Sequence, residues 1–189
     1  MKRTLTALVL GALLLLASSG VGYAYSLWNA LKSGNHLVLI RHALAPGYGD
    51  PENFDVKDCK TQRNLNDDGR YQSKKIGELF RSNGINQAIV YSSQWCRSFE
   101  TARLLDLGEV LEFSALNSFF ESFDREPIQT KEMKAWIKTA PLDTPTVLIS
   151  HQVNIFALTG YSPASGEIIF VERKPDGSLS VIGSIQTLL

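Results

Sequence analysis

Three runs along the chain are apolar almost without interruption. They are His36–Arg41 (H-L-V-L-I-R), Gln87–Ser92 (Q-A-I-V-Y-S) and Thr146–Ser150 (T-V-L-I-S). Strands buried on one face alternate apolar with polar residues, so continuous short runs predict strands covered on both faces. Glu109–Phe113 predicts a further strand. The tail predicts a hairpin, Glu167–Arg173 and Ser180–Ile185, turning at Pro175-Asp176-Gly177. Between the strands the pattern changes to helical spacing. Asn66 caps a helix running to about Ser82, with Tyr71, Ile76, Leu79 and Phe80 as its apolar stripe and Asn83-Gly84 as its stop. Ser93 is the expected N-cap of a helix reaching Asp106. Lys131–Thr139, Val153–Leu158 and a short lead-in at Leu27–Ser33 complete the helices. Strands alternating with helices predict an α/β fold, a three-layer αβα sandwich around a largely parallel central sheet.

Two segments are irregular. Ala43–Gln62 carries Pro46, Gly47, Gly49, Asp50 and Pro51 and predicts a long loop that sets specificity. Leu116–Pro127 carries Phe119, Phe120 and Phe123, read first as packing and second as a substrate wall. Gln152 and Asn154 are read as helix caps, and His36 is assigned no function.

The first residues follow different rules. Lys2 and Arg3 precede an apolar stretch, Leu5–Ala17, and small residues lead to Gly22-Tyr23-Ala24. This pattern predicts a signal peptide over residues 1–24, cleaved after Ala24, ahead of a single domain over 25–189. The alternative is an uncleaved anchor, since no charge occurs over residues 4–30. Both readings place the domain in the periplasm or otherwise outside the cytoplasm, with no membrane contact beyond that segment. Removing Lys2 and Arg3 from 19 basic residues leaves 17 against 19 acidic ones, a net of −2, which argues against a nucleic-acid partner. In an oxidising compartment, Cys59 and Cys96 are an expected disulfide, tying the long loop to the residue before Arg97.

The candidate chemistry sits where strands end. In open α/β sheets, ligands bind at the carboxyl ends of the strands. Two of the chain's three histidines, His42 and His151, directly follow predicted strands. Arg41 precedes the first, and Arg97 falls in the first turn of the helix after Ser93, where free N–H groups also favour an anion. Such a set suits a phosphoryl group. Neutral imidazole is a competent nucleophile, guanidinium groups bind phosphate oxygens in a fork, and a protonated His151 adds a further cation. Local carboxylates, Glu100 and Asp106, are the competing partners of Arg97.

The order of these motifs resembles the histidine phosphatase superfamily, whose fold is phosphoglycerate mutase-like. Arg41-His42-Ala43 is similar to the family's Arg-His-Gly, with alanine for glycine. Ser93, Arg97, Thr101 and Ala102 fill S-x-x-x-R-x-x-x-T-A, and Ser150-His151 resembles its last signature. Arg63 to Ser73 looks like R-x-L-T-x-x-G-x-x-Q-A, with Asn66 for Thr and Ser73 for Ala. The resemblance spans roughly Leu37 to Val171. It implies a metal-independent phosphatase without cofactor, with His42 as the phosphorylated residue and Arg41, Arg97 and His151 as the phosphate pocket. Arg63 is implied as a further phosphate or substrate contact. The implied substrate is a small phosphomonoester, an envelope sugar phosphate by location. A proton donor is expected in the loop after the second signature. Glu121 is preferred because aromatic neighbours would desolvate it and raise its pKa. Asp124, Glu126 and no donor at all remain open. The alternative functions are a phosphomutase and a catalytically silent module that binds a phosphorylated ligand.

Overall fold

The computed structural model describes residues 24–187. A lead-in helix, α1 (residues 24–32), precedes strand β1 (His36–Arg41). Helix α2 (Asp67–Ser82), strand β2 (Ile89–Ser92), helix α3 (Cys96–Leu105) and strand β3 (Val110–Glu112) follow. Then come helix α4 (Glu126–Thr139), strand β4 (Thr146–Ser150), helix α5 (Gln152–Thr159) and strands β5 (Ile168–Arg173) and β6 (Leu179–Ile185). The strands form one sheet in the order β3-β2-β4-β1-β5-β6. The first four run parallel, β5 pairs antiparallel with β1, and β6 pairs antiparallel with β5.

The unbroken apolar runs mean what the pattern predicts, because both sheet faces are covered. Val38 and Ile40 of β1, with Val147 and Ile149 of β4, face a core containing Leu31, Ile76, Phe80 and Leu105 from α1, α2 and α3. Leu37, Leu39 and Leu148 face the opposite way, onto Met133 and Ile137 of α4 and Ile155 of α5. Trp28 of α1 packs edge-on against Phe80 and Phe170, at 4.9 and 5.1 Å between ring centres. Such aromatic pairs add about 0.5–1.5 kcal/mol each beyond area burial, so α1 is an integral part of the core. Residues 1–23 of the expected signal-peptide or anchor segment lie outside the described residues. Among the described residues no helix is long and apolar enough to cross a membrane.

Two boundaries differ from expectation. Helix α4 begins at Glu126, five residues before Lys131, and contains Pro127 within its first turn. Proline breaks a helix interior but fits its first position, where no intrahelical N–H bond is lost. Helix α3 begins at Cys96, so Ser93 is not its cap; Trp95 occupies that position without a side-chain bond.

Cys59 and Cys96 are disulfide-bonded, with Cα atoms 5.7 Å apart. The bridge fastens the end of the long loop to the first residue of α3. Replacing both cysteines by serine is expected to lower unfolding free energy by about 2–4 kcal/mol in urea denaturation, the usual effect of opening such a closed loop.

Candidate active site

Parallel pairing builds the site. Arg41 of β1 is in register with Ser150 of β4, so the residues that follow, His42 and His151, emerge side by side. The His42 N–H donates to the Ser150 carbonyl at 3.0 Å, and the Ser93 N–H donates to that of Ile149 at 3.0 Å. Three strand ends thus meet at one point. The two imidazole rings lie 5.3 Å apart. They share a cavity of about 320 Å³ with Arg41, Arg63 and Arg97.

His42 is 2% exposed. Its Nδ1 lies 2.8 Å from the Ala43 carbonyl oxygen. A carbonyl only accepts, so Nδ1 must carry the proton and Nε2 keeps its lone pair. Burial first, then the field of Arg97, pushes the His42 pKa well below the ordinary imidazole value. His151 is shifted the same way by burial, Arg97 and His42. Both rings are therefore neutral at pH 7 in the unliganded pocket. Without a bound anion, the loss of solvent and three neighbouring guanidinium groups oppose a charge on His151. Ser93 Oγ holds His151 Nε2 at 2.9 Å, which leaves Nδ1 as the nitrogen available to the pocket. The depressed values have a thermodynamic consequence. Below pH 6.5 the unfolded chain binds protons that the folded chain refuses. Stability should fall on acidification by up to about 1.4 kcal/mol per pH unit per histidine, until the folded values are reached. Urea denaturation across pH 7 to 5 measures it, and the double variant His42→Asn/His151→Asn should flatten the slope.

The motif residues around His42 fix its backbone. Thr101 Oγ1 accepts the Ala43 N–H at 3.0 Å and donates to the Arg97 carbonyl at 2.7 Å. Gln72 Oε1 accepts the Leu44 N–H at 3.0 Å, while its amide donates to the Ser165 carbonyl at 2.9 Å. Helix α2 starts at the capping side chain of Asn66, which accepts from the Gly69 N–H at 2.9 Å. It passes so close to the loop after His42 that a Cβ on Gly69 would lie 2.0 Å from the Leu44 carbonyl oxygen. Glycine is required there by approach, not by flexibility.

The arginines divide the work. Arg41 Nη1 donates to the Pro163 carbonyl at 3.1 Å, while its Nε is buried without a partner. Arg97 is 3% exposed and its Nε is likewise buried and unpartnered. Both guanidinium groups line the cavity, and their two buried N–H donors lack partners, which is costly and favours an anion at this edge of the sheet. Arg63 lines the cavity but braces the loop, donating to the carbonyls of Gly49 (2.8 Å) and Ala45.

Arg97 pairs with neither Glu100 nor Asp106. Its partner is Asp50, through Nη1–Oδ1 at 2.7 Å and Nη2–Oδ2 at 3.1 Å. Asp50 was absent from the expected site, being one of several acids in the long loop. Burial alone would raise its carboxyl pKa. The Arg97 bonds and charge, with donors from Arg63 and Trp95, outweigh burial and hold it below the usual carboxylate value. The helix N-terminus also differs from expectation, since the Cys96 N–H is already taken by Gln62 Oε1 at 2.9 Å.

Glu121 lines the cavity, but it is exposed. The neighbouring rings pack on one another, Phe123 edge-on to Phe119 and Phe120 at 6.2 and 6.0 Å between ring centres, and they leave Glu121 exposed. Phe119 enters the core, Phe120 lines the cavity, and Phe123 is largely solvent-facing. Asp124 and Glu126 do not line the cavity; Glu126 instead accepts from Thr130 at 3.3 Å. Asn154, read as a cap, is buried and donates to the Asn117 carbonyl at 2.8 Å. Among the described residues, no group of three or more His, Cys, Asp or Glu side chains is placed to hold a metal ion.

This geometry sets a strand-end histidine beside three arginines at the carboxyl edge of a mainly parallel sheet in an α/β fold. Residues 37–145, more than half of the chain, match the Histidine phosphatase superfamily (branch 1), and the chain belongs to that family. A 74-residue segment is 36% identical to the mitochondrial serine/threonine-protein phosphatase Pgam5 of Drosophila virilis, covering 39% of this chain and 23% of that protein. Solved structures share the fold. The protein histidine phosphatase SixA complexed with tungstate superposes with a TM-score of 0.58 at 14% identity, over 80% of this chain and 97% of that one. A SixA-type phosphohistidine phosphatase from Nakamurella multipartitia gives 0.59 at 18% identity, over 83% and 98%. The mycobacterial glucosyl-3-phosphoglycerate phosphatase complexed with VO3 gives 0.53 at 14% identity, over 73% and 92%.

Proposed function

We propose that the protein is a metal-independent phosphatase that hydrolyses a phosphomonoester through phospho-His42. The observation that carries this reading is the neutral His42, with its Nε2 lone pair free, beside two buried guanidinium N–H groups that lack partners. Nε2 of His42 attacks phosphorus and the ester P–O bond breaks. The leaving oxygen takes a proton from Glu121 or from water, since the Asp50 carboxylate is ionised and fully engaged. Water then attacks phosphorus, the P–N bond breaks, and inorganic phosphate departs. Arg41 and Arg97 hold the equatorial oxygens throughout, and His151 borders the transferred group. A bound dianion would oppose the arginine field and make protonation of His151 easier.

The cavity mouth suits a sugar leaving group. Tyr48 stands 86% exposed, edge-on to Phe120 at 4.9 Å between ring centres, offering apolar ring surface beside the Glu121 carboxylate. The sugar phosphate named for the mycobacterial fold relative points the same way. Action in the periplasm or at the cell envelope is supported by the N-terminal pattern and by the disulfide, which persists in oxidising compartments. Turnover of a panel of aryl and sugar phosphates by purified protein tests the activity. Release of phosphate from a sugar phosphate above the aryl ester supports the full reading, and no release from any of them overturns it. Fractionation of cells carrying the tagged full chain tests the location. Exposure of the only cavity carboxylate not held in an ion pair favours one rival, a silent module, which would bind phosphate without turning over any ester.

A further inference from the structure

We infer that Asp50 is a positioning residue, which turns the Arg97 guanidinium so that one edge of its fork faces the substrate phosphate. The inference rests on the phosphatase reading and adds to it a residue outside every motif. Asp50 cannot be the proton donor or the base. Its Oδ1 accepts from Arg97 Nη1 at 2.7 Å and the Arg63 N–H at 3.0 Å. Its Oδ2 accepts from Arg97 Nη2 at 3.1 Å and the Trp95 indole N–H at 3.0 Å. Four donors on two oxygens leave the carboxylate no lone pair well placed for chemistry.

What remains on Arg97 is instructive. A guanidinium has five N–H groups in one plane. Nη1 spends both of its own, on Asp50 and on the Arg63 carbonyl at 3.3 Å. Nη2 spends one, on Asp50. The Nε–H is buried and unpartnered. The two donors left, Nε–H and the second N–H of Nη2, share one edge of the plane. That pair matches two oxygens of a phosphate. Asp50 therefore grips the guanidinium from its far end and leaves the opposite edge without a protein partner for its Nε–H. The loop carrying Asp50 is held in turn by Arg63, which bonds the Gly49 carbonyl, and by the Cys59–Cys96 bridge beyond it.

The test compares Asp50→Asn and Asp50→Glu with the unmodified protein. Kinetics on an aryl phosphate are combined with nitrogen-15 NMR of the Arg97 guanidinium and with thermal unfolding. In Asp50→Asn, kcat is expected to fall about 10- to 100-fold, the usual effect of losing a residue that orients a functional group. KM should change less than threefold, because the cavity loses a negative charge as the fork loosens. Asp50→Glu should recover part of kcat. Guanidinium signals of Arg97 should show hindered rotation in the unmodified protein and free rotation in Asp50→Asn. Equal hindrance in both overturns the inference whatever the kinetics. So does a kcat per folded molecule that stays within twofold while only the melting temperature drops. If the unmodified protein turns over no phosphate ester, the phosphatase reading fails separately, and the NMR comparison still decides whether Asp50 positions Arg97.

Discussion

Replacing His42 by alanine should abolish turnover of an aryl phosphate, with a loss on the order of 10⁴-fold or more. The size follows from the role. Other cavity groups hold or orient the phosphoryl group, and in this mechanism the His42 Nε2 lone pair forms the bond to phosphorus. His42→Ala also removes the Nδ1–H donor from the Ala43 carbonyl, at a cost to stability of about 1–3 kcal/mol. Denaturation of the variant separates this loss from the chemical one. His151→Ala should be milder, because its ring is neutral and serves as a hydrogen-bonding wall. Turnover by His42→Ala within tenfold of the unmodified protein would mean that another group attacks phosphorus.

Arg97→Ala carries the second large effect, and it is double. Transition-state charge on phosphorus loses a preorganised fork, which is expected to reduce kcat/KM by about 10²- to 10³-fold. The fold loses the cation that pairs with a nearly buried carboxylate, since the Asp50 side chain is 10% exposed. Breaking one side of a buried ion pair costs about 3–5 kcal/mol, because the remaining charge is stranded. The sign with pH is fixed. With Arg97 present, Asp50 titrates below the usual carboxylate value, so the pair stabilises the fold at neutral pH and weakens as pH falls through that lowered value. With Arg97 gone, burial raises the Asp50 carboxyl, and acidification protonates it and narrows the deficit. Adding Asp50→Ala to Arg97→Ala should restore part of the stability and none of the activity. Chemical denaturation at pH 7 and 5, with turnover alongside, checks both halves.

Much of this was legible in the chain because local pattern and sheet physics agree. The runs Leu37–Ile40 and Val147–Ile149 lack alternation, which only a strand covered on both faces explains. Their ends then had to bring His42 and His151 together, since parallel neighbours align their carboxyl ends. The Asn66 cap was readable from residue type. Asp50 was not. It lies 47 positions from Arg97 in a loop with several other acids, and ion pairs at such separation leave no periodic trace. Glu100 and Asp106 were the local alternatives as partners of Arg97, and the structure pairs it with neither. Pro127 misplaced the start of α4 because proline reads as a stop unless its position in the first turn is known. The exposure of Glu121 was hidden for a related reason. Aromatic neighbours in sequence bury a carboxyl only if their rings pack over it, and here Phe123 packs against Phe119 and Phe120 instead.

The central claim is that His42 Nε2 becomes covalently bonded to phosphorus during turnover. Mixing the protein with a phosphorus-32-labelled aryl ester, quenching in base where phosphohistidine survives, and mapping the labelled peptide tests it directly. The account predicts label on the His42 peptide at Nε2, since Nδ1 is committed to the Ala43 carbonyl, and none in His42→Ala. Steady release of phosphate with no labelled histidine, or label on another residue, would contradict it.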